Sequence, residues 1–197
     1  ANTFINNTSG LSPMTVRYND WNLTGNEVIN GDLYIKGYTL NLAGKTLKVN
    51  GNLIQSGGTL DINGGKLEVA GDYKISGHSY FEMTEEEDYV LVRGNFETES
   101  MKNHESKLTA GTMEVKGNFT QKTYLTATYN FKASGDHKVV LSGEEQQTVS
   151  FSSPNVSQFS ILENKNTSGK ELIFKNSYNA NTFINNTSGL SPMTVRY

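Results

Sequence analysis

The sequence predicts an all-β protein: a right-handed parallel β-helix, or solenoid, of about eight coils of 20–26 residues. Three observations predict it. A short segment, Gly followed by Asn or Asp and then leucine or an aromatic residue, recurs at near-constant spacing. When the copies are stacked, apolar residues fall into columns. The first eighteen residues, ANTFINNTSGLSPMTVRY, return letter for letter as residues 180–197.

The short segment stands at Gly31-Asp32-Leu33, Gly51-Asn52-Leu53, Gly71-Asp72-Tyr73, Gly94-Asn95-Phe96 and Gly117-Asn118-Phe119, at intervals of 20, 20, 23 and 23 residues. A degenerate sixth copy, Gly143-Glu144-Glu145, follows after 26. Two residues before each glycine stand Ile29, Val49, Val69, Val92, Val115 and Leu141. Four before it stand Leu47, Leu67, Val90, Met113 and Val139, with Glu27 as the outlier. Two after it stand Leu33, Leu53, Tyr73, Phe96 and Phe119. Polar Lys48, Glu68 and Glu114 lie between the apolar positions. This is period-two alternation in residues that favour strands, so each segment reads as a half-buried strand.

One such strand does not use up a period. Further short strands, such as Thr39 to Leu42 and Thr59 to Ile62, lie between glycine pairs or Asn-Gly. Roughly three strands of 4–5 residues per period, joined by tight corners, make one coil of a parallel solenoid. No apolar stripe of helical period runs longer than a turn or two. Nineteen glycines and three prolines suit a chain that turns often and still donates ladder hydrogen bonds. Asp32, Asn52, Asp72, Asn95 and Asn118 form a structural corner column, where the glycine is expected to take unusual backbone angles and the Asx side chain to bond nearby amides. Right-handedness follows from the general rule for parallel crossovers.

The coils lengthen in residues 77–93, which carry Glu85-Glu86-Glu87-Asp88, and in 99–111, the natural places for loops. Beyond residue 120 the pattern loosens but stays strand-like. The duplication makes residues 1–179 one complete unit and 180–197 the first coil of the next. A cut from a tandem array explains this best, and an artificially duplicated end is the alternative. About eight coils per unit, at the usual strand spacing, rise by about 38 Å.

Composition narrows the function. The net charge is −3 with interspersed signs, so no basic face for nucleic acid emerges. No run of 18 apolar residues exists to insert in a membrane as a helix. No signal peptide is visible, which means little in a fragment. Cysteine is absent, which fits a bacterial surface protein without disulfides and fits a cytosolic chain as well. The sequons at Asn22 and Asn155 are expected by coincidence in so asparagine-rich a chain.

The chemical candidates are weak. Asp32 and Asp72 share a column two coils apart, roughly 9–10 Å by strand stacking, near the upper range of an inverting carboxylate pair. Asparagine fills the same column three times, so the position asks for a corner cap, and no catalytic residue is expected. Glu85 to Asp88 read as a solvated tip and not as a Ca²⁺ loop. His78, His104 and His137 lack ligand spacing, although a spatial pair of His78 and His104 is conceivable. No metal site and no cofactor is expected. Trp21, near Tyr18 and Tyr34, is a possible glycan contact, or it covers a coil end. Lys48 with Glu68, and Lys74 with Glu97, are opposite charges on neighbouring rows that would help set register.

The segments TLKVNGNLIQSGGTLDINGGKLEVAGDYKI and TMEVKGNFTQ resemble the β-solenoid repeats of large bacterial surface and secreted proteins, a group that includes filamentous-haemagglutinin-like adhesins and the stalks of contact-dependent toxins. GGKLEVAGDY and GEEQQTVSF are similar to phrases of repeat-rich secreted bacterial proteins. The resemblance spans about residues 26–175 and implies an elongated scaffold, extracellular or on the cell surface. It carries no catalytic residue.

The expected function is therefore a rigid stalk or spacer whose partners are neighbouring copies, end to end, without catalysis. Two alternatives stand beside it. One is an adhesin whose loops 77–93 and 99–111 hold a host or cell-wall glycan. The other is a β-helix polysaccharide lyase or hydrolase, whose turnover on uronic-acid polymers would be lost in Asp72→Asn.

Overall fold

The computed structural model describes residues 14–16, 19–124, 129–187 and 193–195, the first and last of these stretches as backbone strands. Eighteen strands follow in order: β1 (Met14–Val16), β2 (Trp21–Asn22), β3 (Glu27–Ile29), β4 (Leu33–Asn41), β5 (Thr46–Val49), β6 (Leu53–Asp61), β7 (Lys66–Val69), β8 (Tyr73–Glu82), β9 (Tyr89–Val92), β10 (Phe96–Ser100), β11 (Thr112–Val115), β12 (Phe119–Gln121), β13 (Lys138–Leu141), β14 (Thr148–Phe151), β15 (Phe159–Asn164), β16 (Leu172–Phe174), β17 (Ala180–Asn185) and β18 (Met193–Val195). The described residues contain no helix.

The strands wind into a parallel β-helix. One sheet runs β1-β4-β6-β8-β10-β12-β14-β16-β18, with β2 also on β4. The other runs β3-β5-β7-β9-β11-β13-β15-β17. Each coil crosses from one sheet to the other and back, and the eight rungs of the second sheet are separated by about seven turns. The columns read from the sequence are columns in space: Ile29, Val49, Val69, Val92 and Val115 stack in register. Leu33, Leu53, Tyr73, Phe96 and Phe119 do likewise. All ten are at most 1% exposed and belong to one continuous core. Aromatic rings form its thick middle. Tyr73 meets Phe96 edge-on at 5.5 Å, Phe96 lies 5.0 Å from Phe119, and Phe131, Phe151 and Phe159 pack around Phe119.

Two expectations of detail are corrected. Three separate strands per coil do not form at the start of the chain, because Thr39 to Leu42 and Thr59 to Ile62 continue the strands that precede them. β4 and β6 are nine residues long and β8 is ten, each bent at a register shift. Ladder hydrogen bonds carry the backbone through the bend, so the third face stays in the same sheet.

The other correction concerns the corner glycines. Gly31, Gly51, Gly71, Gly94 and Gly117 do not lie at positive φ. Left-handed backbone occurs at the opposite corner, at Ala43-Gly44 (φ 48° and 74°) and Asn63-Gly64 (φ 43° and 72°). There two positive-φ residues close a type I′-like turn, with Lys45 N–H donating to Leu42 O at 2.9 Å and Gly65 N–H to Ile62 O at 2.8 Å.

Coil lengths change at a bend within a strand and in a turn between the sheets. The step from Val69 to Val92 gains one residue at the bend, where Gly57 faces His78 instead of Gly77, and two more in the turn 84–88. The first insertion is a register shift within the β6–β8 ladder and the second lies in a turn, and the columns on either side stay paired.

The duplicated tripeptide Met-Thr-Val occupies both ends of one sheet. As β1 it pairs with β4, Met14 opposite Leu33 and Val16 opposite Ile35. As β18 it pairs with β16, Met193 opposite Leu172 and Val195 opposite Phe174. The column that starts at Met14 passes through Leu33, Leu53, Tyr73, Phe96, Phe119, Val149 and Phe174 and ends at Val195, the copy of Val16. The second copy thus returns to the same sheet with a stagger of two residues.

Candidate functional site

The corner column forms a ladder of side chains bonded to backbone. Asp32 Oδ1 accepts the Asn52 N–H at 2.7 Å, Asn52 Oδ1 that of Asp72 at 2.9 Å, and Asp72 Oδ1 that of Asn95 at 2.7 Å. Asn95 Oδ1 accepts from Asn118 at 2.9 Å, and Asn118 Oδ1 from Thr148 at 2.8 Å. Each bond links one coil to the next. Aspartate and asparagine serve equally because the position needs only an acceptor oxygen. The ladder also explains the glycines: a Cβ on Gly51, Gly71 or Gly94 would overlap the Asp32, Asn52 or Asp72 Oδ1 of the neighbouring coil. Close approach, and not unusual torsion, reserves these positions for glycine.

Beside this ladder lies a shallow groove of about 360 Å³ on the outer face of the first sheet, lined in part by Lys74, Glu97, Thr120 and Lys175. Its glutamate is paired with lysines. Glu97 bridges Lys74 at 3.0 Å and Lys122 at 2.7 Å, and although burial raises its pKa, the lysine hydrogen bonds prevail and hold it below the ordinary glutamate value. On the second sheet Glu68 meets Lys66 at 3.0 Å and Lys48 at 3.6 Å, and its pKa is lowered, most by the Lys66 hydrogen bond. Glu114 accepts from Tyr89 Oη at 2.6 Å and Ser142 Oγ at 2.5 Å. These are small local networks of ion pairs and hydrogen bonds on an open surface, which suit register and solubility better than capture of an ion.

Inside the solenoid the structure places polar groups that the periodicity did not reveal. Gln147 donates to Val115 O at 3.0 Å and to Gly117 O, and accepts from Gly143 N–H at 2.8 Å and Asn166 Nδ2 at 2.8 Å. It fills the lengthened sixth corner. Asn130 donates to Ser100 O at 3.0 Å and Lys122 O at 2.8 Å, and accepts from Gln121 Nε2 at 2.8 Å. Only the GEEQQ departure from the corner motif signalled the first, and no periodic signal marked the second.

The acidic run divides. Glu85, Glu86 and Glu87 are exposed, whereas Asp88 is buried and accepts from Gly64 N–H at 2.6 Å, Thr84 N–H at 2.8 Å and Glu85 N–H at 3.1 Å. Asp88 anchors the turn, and burial raises its pKa. Among the described residues no group of acidic, histidine or cysteine side chains is arranged to hold a metal ion.

His78 is exposed, while His104 and His137 are buried. His104 Nε2 accepts the Phe81 N–H at 3.0 Å, and burial lowers its pKa to about 4. His137 stands edge-on to Phe131 at 5.9 Å, neither ring nitrogen has a hydrogen-bond partner, and burial lowers its pKa to about 3. Both are neutral core residues at physiological pH.

Trp21 is half-buried on the first coil, opposite Leu40 and packed against the core. Tyr34 alternates with the buried Leu33 and Ile35 and so points outward. The two rings therefore belong to opposite faces of the sheet, and Tyr18 lies outside the described residues.

No family profile, no curated protein and no solved structure matches the chain.

Proposed function

We propose that the chain is a link of a tandem array that serves as a rigid stalk or spacer in a large extracellular or cell-surface fibrous protein of bacteria, and that it performs no catalysis. The observation that carries this reading is the return of Met-Thr-Val to the end of the sheet it began. A strand in that position serves equally as the last rung of one unit and the first rung of the next. One oxygen of each corner-column side chain is engaged by a backbone amide of the next coil, and the groove's Glu97 by lysines, which favours a mechanical role over a chemical one. The bacterial surface setting rests on the resemblance of the repeat segments.

Small-angle scattering on chains of one, two and three units tests it. Each added unit should lengthen the particle by about 38 Å at an unchanged cross-section, eight steps at the strand spacing. A particle that thickens or folds back instead of lengthening would overturn the reading.

A further inference from the structure

We propose that the last coil is exchangeable between copies: residues 1–18 of one chain replace residues 180–197 of another on β15 and β16, joining two solenoids through one shared coil. The proposal deepens the spacer reading and rests on it for its use in the parent array.

The seat is defined. β15 pairs with β17 through Phe159–Ala180, Ile161–Thr182, Leu162–Phe183, Glu163–Ile184 and Asn164–Asn185. Phe183 sits over Phe174 with ring centroids 6.3 Å apart. Asn186 donates from its backbone to Asn164 O at 2.9 Å and from Nδ2 to Glu163 Oε1 at 2.7 Å. Asn164 Nδ2 donates to Asn185 Oδ1 at 3.1 Å. On the incoming side these contacts come from Ala180, Phe183, Asn185 and Asn186, which recur as Ala1, Phe4, Asn6 and Asn7. One seat contact falls outside the duplicated segment, the Phe159 N–H donated to Asn179 O at 2.9 Å, and the pairs from Ala180 to Asn186 do not tell the chain's own terminal segment from the first segment of another chain.

What distinguishes the two is coverage. The chain's own coil is held from one side: Leu162 and Phe174 beneath it are fully buried, while Phe183 and Ala180 are only half-buried and Asn185 and Asn186 are exposed. A strand edge of this kind is open to pairing. A coil that arrives from a second chain brings its next rung along, because Met14 to Val16 pair with β4. The Met-Thr-Val rung of the shared coil is then paired on both sides, to β16 of one chain and to β4 of the other. The tether favours the closed monomer by effective concentration, so exchange requires the terminal coil to open and grows with protein concentration.

The test uses the full-length chain and a fluorescent peptide of residues 1–18, read by anisotropy. Wild type should take up peptide slowly. Phe183→Asp weakens only the chain's own coil and should raise uptake at least about tenfold, while Phe4→Asp in the peptide abolishes it. In concentrated Phe183→Asp, head-to-tail oligomers should form and dissolve when unlabelled peptide is added. No uptake by a Phe183→Asp chain that keeps its β circular dichroism overturns the proposal, as does uptake indifferent to Phe4→Asp. Should Phe183→Asp fail to fold, native mass spectrometry of wild type equilibrated with excess peptide decides, and absence of the complex overturns the proposal. The spacer reading fails separately, on the length of covalent multi-unit chains.

Discussion

At the corner between the two sheets, the same geometry asks for two unlike residues side by side. The Asx oxygen reaches up to an amide of the next coil, and the glycine of that coil must leave room for it. Gly25 has open space around the position of a Cβ and an ordinary φ, so it offers a control. Gly51→Ala should cost several times more than Gly25→Ala, about 2–4 kcal/mol against less than about 1. Urea unfolding of the two variants measures the difference, and equal costs would refute the close-approach account. The two buried histidines make a second statement at this scale. Their folded pKa values are depressed below the unfolded value of about 6.5. Above about pH 7 they are neutral in both states and contribute no pH dependence. As pH falls below 6.5 the unfolded chain takes up protons that the folded chain refuses. Stability therefore drops by about 1.4 kcal/mol per pH unit per histidine, until the folded values near 4 and 3 are reached. The lowered glutamates add to this loss only below about their ordinary value of 4.5, and Asp61 and Asp88, which are raised, act with opposite sign. His137→Leu sacrifices no hydrogen bond and should flatten the slope between pH 6 and 5 by about half, as urea titrations across that range would show.

Strands and corners differ in what they tolerate. Along β7 the burial alternates so that Leu67 and Val69 point inward and Glu68 outward. A single residue inserted between Leu67 and Glu68 sends one side of the strand to the wrong face and breaks pairing with both β5 and β9. The same insertion between Glu86 and Glu87 falls in an exposed turn that already carries two residues more than its counterpart one coil earlier. Thermal unfolding by circular dichroism should show loss of cooperative folding for the first and a shift under about 3 °C for the second. A comparable fall in both would mean that the turn, and not the ladder, sets the register.

The whole molecule, in its described residues, is a stack in which each coil touches its neighbours. Such a body gains stability with each added unit and loses most where it stops. Phe183 on β17 and Trp21 on β2 are half-buried apolar side chains packed against the core. The increment of about 38 Å per unit and the exchange of the terminal coil are both consequences of that one-dimensional order. The column that begins at Met14 ends at Val195, a stagger of two residues between the copies of Met-Thr-Val along the strand direction.

Much of this was legible in the chain itself. Period-two alternation fixed which side chains turn inward, because a pleated strand has no other choice. The 20-to-26-residue spacing placed like residues above like, and the opposed charges Lys48–Glu68 and Lys74–Glu97 meet as the rows implied. The tertiary structure decided the rest, for a physical reason. Which corner is left-handed, why Gly51 cannot carry a side chain, where Gln147 and Asn130 find their partners and why Asp88 leaves the company of its acidic neighbours all depend on atoms one coil away. Contacts at that separation leave no periodic mark in a single sequence, and they exist only once the coil beneath is in place.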